Sequence, residues 1–209
     1  MNPHSIIKPM YFFNIQLNTQ SNASMMYALA LNESGLGLSQ YALEYHNLFG
    51  HAAIDENPDN ANQYKSIADC VKQHAYNFLQ QGYLNPDDSR YHGSWFGDKA
   101  SGINVNYASD PYWGEKAASF YYQLDEDGID QKKNPIKTIQ LSKDLKIYAP
   151  NKKGVLYTYK KGSIVSIHIL KDKHGYYKIS SEAPIKDNHL NVNAKYKNSY
   201  AYIKKSDFK

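Results

Sequence analysis

The chain has 209 residues, 42% of them hydrophobic and 21% charged, with a formal net charge of +4. That length holds one large core or two modest ones, and no run of about 18 apolar residues is present to span a bilayer. Collagen-like, integral-membrane helical and wholly disordered chains are excluded. The charge is divided unevenly. Residues 1–133 carry 8 basic and 15 acidic groups, whereas residues 134–209 carry 16 basic and 5 acidic groups. This asymmetry points to two units with different partners, the second suited to an anionic polymer. Arg90 is the one arginine, and tyrosine occurs 20 times.

Residues 1–22 lack the basic stretch, unbroken apolar run and small-residue cleavage site of a secretory signal, which implies a trimmed chain or unconventional export. The first predicted helix runs from Ala23 to about Asn32, apolar on nearly every side and therefore central. It meets Glu33 and then Ser34, Gly35, Leu36 and Gly37, where two glycines end a helix readily. Residues 38–45 read as a short second helix, and Asn47–Asn60 as extended or hairpin chain with polar turns. From Ala61 to Leu79, apolar residues at three-four spacing predict an amphipathic helix with Cys70 on its buried face. Residues 83–111 read as a long loop of the length that usually carries function. Pro111 opens a last helix ending near Gly128.

After a linker at about 125–135 the texture becomes β-rich, with expected strands at Leu145–Tyr148, Val155–Tyr159, Ile164–Leu170, Tyr176–Ile179 and Tyr200–Ile203. The expected fold class is therefore α+β and multidomain. A mainly α domain at 1–130 precedes a small β-barrel at 134–209.

Glu33 is the first residue with chemical promise. A carboxylate directly after an apolar helix is costly to bury in its charged form, so its pKa rises toward the protonated state that a glycosidase acid needs. The structural alternative is a carboxylate bonded to the helix end or to a lysine. His46, His51 and Asp55 match no strong metal-ligand spacing, and neither a phosphate-binding glycine loop nor a nucleophile-elbow serine occurs. No cofactor or metal is expected.

Three ordered blocks carry a resemblance. They are Ala30–Gly35 (ALNESG), Asn47–Gly50 (NLFG) and Tyr107–Lys116 (YASDPYWGEK). Across roughly residues 20–125 the chain resembles the glucosaminidase family of bacterial wall hydrolases, glycoside hydrolase family 73. The resemblance implies a lysozyme-like helical fold with a groove for a glycan strand, Glu33 as general acid, and cleavage of the β-1,4 bond after N-acetylglucosamine in peptidoglycan. For the second catalytic group Asp55, Glu56 and Asp110 compete, and a third route uses the substrate's own acetamido group with Tyr107 as helper. Asn47, Phe49, Tyr112 and Trp113 are the expected substrate-binding residues, their aromatic faces suiting sugar rings. Trp113 has core packing as its alternative.

The basic C-terminal part resembles a bacterial SH3-like domain, which implies binding of wall peptide or of anionic wall polymer. The expected partners are peptidoglycan glycan strands and stem peptides, with no nucleic acid and no membrane span. The expected site of action is the cell wall or outside the cell, for a bacterial or phage-encoded protein. Rival readings are a lytic transglycosylase or muramidase on the same fold, and a wall-binding module without turnover.

Overall fold

The computed structural model describes residues 6–16, 18–19, 21–52, 61–125, 136–194 and 199–208. Among these residues five α-helices come first: α1 (Met10–Gln16), α2 (Ala23–Glu33), α3 (Gln40–Glu44), α4 (Ile67–Gln73) and α5 (Trp113–Leu124). Side chains start three of them by accepting an otherwise unmet backbone N–H: Asn22 for α2, Ser39 for α3 and Ser66 for α4. The amphipathic segment expected from Ala61 becomes helical only at Ile67. At His74 it widens without a break into a π-helix, His74–Tyr83, a rare form that is frequent at functional sites.

Helix α2 lies at the centre, with Met26, Tyr27, Ala28, Leu29 and Ala30 all buried. It packs mainly on α5 and also on α1. This apolar cluster gathers Phe12, Leu48, Phe49, Val71, Phe96 and Trp113 around it. Glu33, the last residue of α2, is thereby carried to the edge of the core. Among the described residues no helix is long and apolar enough to cross a membrane.

Among the described residues eight strands follow: β1 (Ile136–Gln140), β2 (Leu145–Tyr148), β3 (Val155–Tyr159), β4 (Ile164–Lys173), β5 (Tyr176–Ser180), β6 (Ile185–Lys186), β7 (His189–Leu190) and β8 (Tyr200–Lys204). Six form one antiparallel sheet in the order β1-β4-β5-β8-β2-β3, and β6 and β7 make a separate hairpin. The SH3-like barrel expected from the sequence is therefore corrected to an open sheet. Closure would need β1 to pair with β3, and the two are opposite edges. The inner face, with Leu145, Ile147, Val165, Ile167, Ile179 and Ile203 buried, is instead joined by Tyr91 and Trp95 from the loop before α5. Cover from the helical part removes the need for the sheet to close on itself. The Tyr91 hydroxyl donates to the Tyr159 hydroxyl at 2.8 Å, and Tyr159 donates to the buried Glu182 carboxylate. Gln80 of the π-helix donates to the carbonyls of Val192 and Ala194 at 2.5 and 3.3 Å.

Candidate active site

The turn after α2 fixes Glu33. The Ser34 hydroxyl donates to the Ala30 carbonyl at 2.5 Å and accepts the Gly37 N–H at 2.8 Å. Gly37 has φ +82°, and a β-carbon there would meet Ile7 Cγ1 at 3.0 Å, so both conformation and space demand glycine. The Glu33 Oε1 atom accepts the indole N–H of Trp113 and the Asn32 amide N–H at 3.2 Å. Burial pushes the carboxyl pKa up, and the two donors oppose that rise without cancelling it. With both described donors on Oε1, Oε2 is the atom left to carry a proton.

Trp113 is held as firmly as Glu33. It opens α5 at 3% exposure, lies edge-on to Phe96 at 5.8 Å and stacks on Tyr107 at 4.6 Å. The helix start approaches the preceding loop so closely that a β-carbon at Gly114 would sit 1.8 Å from the Gly97 carbonyl oxygen. Two side chains that sequence reasoning missed shape that loop. The buried Asn104 amide donates to the Asp110 carbonyl at 2.9 Å, and the Lys99 ammonium donates to the carbonyls of Asn104 and Ala108 at 2.6 and 2.7 Å. One asparagine and one lysine in a polar loop carry no local signal of such a role.

Tyr107 lies between Trp113, Tyr83 (5.2 Å) and His74 (6.4 Å). Its hydroxyl is buried without a hydrogen-bond partner among the described residues, and burial drives its pKa well up. The structure thus brings Glu33, Trp113 and Tyr107 into one contiguous set. Asp110 stands at the lip of the same loop. Its Oδ2 pairs with Lys116 at 2.6 Å and its Oδ1 accepts the Tyr112 N–H at 2.9 Å, which holds its pKa low. Tyr112 is exposed to 66%. Asp55 and Glu56 lie outside the described residues.

Asn47 and Phe49 are placed inside the protein. The Asn47 amide donates to the carbonyls of His51 and Asn62 at 3.0 and 3.1 Å and accepts the His51 N–H. Phe49 stacks on His74 at 3.7 Å, while His51 stacks on Phe78 at 3.8 Å. The two imidazoles bond each other, His51 Nε2 to His74 Nδ1 at 2.9 Å, and His51 Nδ1 meets the Tyr64 hydroxyl at 2.6 Å. His46 instead meets the Tyr64 carbonyl at 2.9 Å. Cys70 is buried and its thiol is pushed up to about 12, so it stays protonated and unreactive. A cavity of about 1100 Å³ lies between α2, α5 and the sheet, lined by Met25, Leu29, Trp95 and Glu182, and does not include Glu33.

A model of the glucosaminidase family, described as mannosyl-glycoprotein endo-beta-N-acetylglucosaminidase, matches residues 10–126. Two curated proteins from Streptococcus pneumoniae strains, each called "Putative endo-beta-N-acetylglucosaminidase", are 37% identical to this chain over 105 residues. Those matches cover 50% of this chain and 15% and 14% of the relatives, so the chain spans only a small part of their length. With more than half of its 209 residues matched, in the region that holds Glu33, Tyr107 and Trp113, the chain belongs to the glucosaminidase family and carries a glycosidase domain.

Proposed function

We propose that the chain is a peptidoglycan hydrolase that cuts the β-1,4 bond between N-acetylglucosamine and N-acetylmuramic acid, with Glu33 as general acid. The observation that carries this reading is the Glu33 carboxyl, raised in pKa by burial and oriented through Oε1 by Trp113. Held that way, Oε2 delivers its proton to the bridging oxygen as the glycosidic bond breaks and positive charge develops on the sugar.

The second group, in this proposal, is the substrate's own acetamido oxygen, oriented by the Tyr107 hydroxyl, which is buried in this structure and has to be uncovered as the sugar binds. Two observations support it. Asp110 has both oxygens engaged by Lys116 and Tyr112, whereas the Tyr107 hydroxyl has no described partner. The acetamido oxygen would form a cyclic intermediate at the anomeric carbon, which water then opens with Glu33, now ionised, as base. The exposed Tyr112 ring offers a face for a neighbouring sugar.

The helical part to about residue 130 is assigned the chemistry, and residues 134–209 attachment to the wall, with action outside the cell. Mass spectrometry of reduced muropeptides released by the wild type and by Glu33→Gln tests the reading. New reducing ends on N-acetylglucosamine, lost in the variant, are expected. Reducing muramic ends, or anhydro-muramic products, would overturn the proposed bond and reaction.

A further inference from the structure

The outer face of the sheet carries a continuous array of tyrosine and lysine. Strand alternation sends Ile147, Ile179, Ala201 and Ile203 inward, and Tyr148, Tyr176, Lys178, Tyr200, Tyr202 and Lys204 to the opposite face. Register then sets neighbours: Tyr148 opposes Tyr202, Tyr176 opposes Lys204 and Lys178 opposes Tyr202. The four rings form a chain of edge-to-face contacts, Tyr148 to Tyr176 at 6.3 Å, Tyr176 to Tyr202 at 6.2 Å and Tyr202 to Tyr200 at 5.9 Å.

Three ammonium groups sit on this chain. Lys204 lies 5.3 Å from the Tyr148 ring, Lys152 lies 4.6 Å from both Tyr176 and Tyr202, and Lys178 lies 3.7 Å from Tyr200. Lys152 reaches its place from the β2–β3 turn with φ +61°, held by its N–H bond to the Ala149 carbonyl at 2.8 Å. None of the described ion pairs uses these three lysines, since Asp144, Asp172 and Asp207 are matched to Lys160, Lys205 and Lys143. They lie on a half of the chain with 16 basic and 5 acidic groups, so the face is positive overall even though the Tyr148 hydroxyl and Asp207 favour the charged form of Lys204.

We propose that this face binds a linear polyanion in which phosphodiesters alternate with short hydroxylated polyol units. Spaced ammonium groups meet successive phosphates as point charges. The hydroxyls of Tyr176, Tyr200 and Tyr202, on the same partly exposed face, meet the polyol oxygens. Single-stranded nucleic acid is the weaker fit. It binds by stacking bases on free aromatic faces, and here those faces are taken by lysines and by neighbouring ring edges. The site depends on the wall reading above only for where such a polymer is met, and needs nothing from Glu33.

The test uses the full chain and fluorescently labelled poly(glycerol phosphate), with fluorescence anisotropy as readout. Replacing Lys152, Lys178 and Lys204 by Gln should weaken binding by about tenfold or more and flatten its salt dependence. The same charge removed at Lys137, Lys160 and Lys161 should cost much less. Changing Tyr176, Tyr200 and Tyr202 to Phe keeps rings and charges, and should weaken the polyol phosphate while leaving weak oligothymidylate binding unchanged. Equal losses from both lysine sets, or binding of polyglutamate or oligothymidylate as tight as that of the polyol phosphate, would overturn the proposal. Cleavage of a short soluble glycan by the lysine variant should match wild type, which separates failure of this site from failure of the hydrolase reading.

Discussion

The indole N–H of Trp113 donates to the Glu33 carboxylate across 80 residues of chain. One partner ends the central helix and the other begins the last one, so the packing of α2 on α5 is also what positions the proposed acid. Because the bond favours the charged carboxylate, it tempers the rise in pKa that burial causes.

Removing that donor in Trp113→Phe should therefore raise the Glu33 pKa further. A hydrogen bond to a charged group contributes about 1.5–3 kcal/mol. The basic limb of the pH profile of kcat/KM, which reports loss of the acid's proton, should move to higher pH. Glu33→Gln has no proton to give and should lose roughly a hundred- to ten-thousand-fold in turnover. A basic limb that stays put in Trp113→Phe would show that Glu33 is not the acid being titrated.

The pair His51 and His74 predicts acid sensitivity. Burial pushes His51 down to about 4 and His74 well below its usual value, the second helped by the neighbouring imidazole. In the unfolded chain both titrate near 6.5. Stability is thus fully present above about pH 6.5 and is lost as pH falls toward 4, because the unfolded state takes up protons that the folded core refuses. Each such proton contributes a slope of about 1.4 kcal/mol per pH unit. Urea midpoints at several pH values below neutrality should fall less steeply for His51→Gln than for wild type. Identical slopes would mean that the folded pair accepts protons readily.

Gly114 predicts a reversal of the ordinary rule. In an exposed helix Gly→Ala stabilises by up to about 1 kcal/mol, but here a β-carbon would lie 1.8 Å from the Gly97 carbonyl oxygen. The loop that carries Phe96 would have to retreat, and with it the packing around Trp113. Gly114→Ala should cost about 1–3 kcal/mol and lower turnover, read by thermal melting and by glycan cleavage. An unchanged melting temperature would show that the loop yields freely.

The sequence makes α2 legible because nine of its eleven positions are apolar or small, and β2 and β8 legible because their buried and exposed positions alternate. Helix α1 escapes notice because Met10–Gln16 is only seven residues long, too short to display a repeat, although Phe12 is buried and Tyr11 and Ile15 pack against the core beside it. Strand alternation tells which residues face inward but not which edges meet, and on that point the barrel expectation fails. At the site, local sequence marks Glu33 as a carboxylate next to a core. It cannot tell that Trp113 serves both the core and the acid, nor that Asn47 spends its amide on His51 and Asn62. Such roles depend on partners distant in the chain.

Tyr107 and Asp110 separate the two routes for the second catalytic group. A buried hydroxyl without a partner costs about 1–3 kcal/mol, so Tyr107→Phe, which keeps the ring against Trp113 and His74, should raise the melting temperature by a few degrees. If that hydroxyl orients the acetamido group, the same change must lower kcat, giving a variant that is more stable and less active. Asp110→Asn breaks the pair with Lys116 at the surface and should leave turnover near wild type. A nucleophilic Asp110 would give the opposite ranking, with the asparagine variant inactive and Tyr107→Phe nearly unaffected. Measuring melting temperature and kcat on both variants therefore decides between a carboxylate nucleophile on this loop and the substrate's own amide.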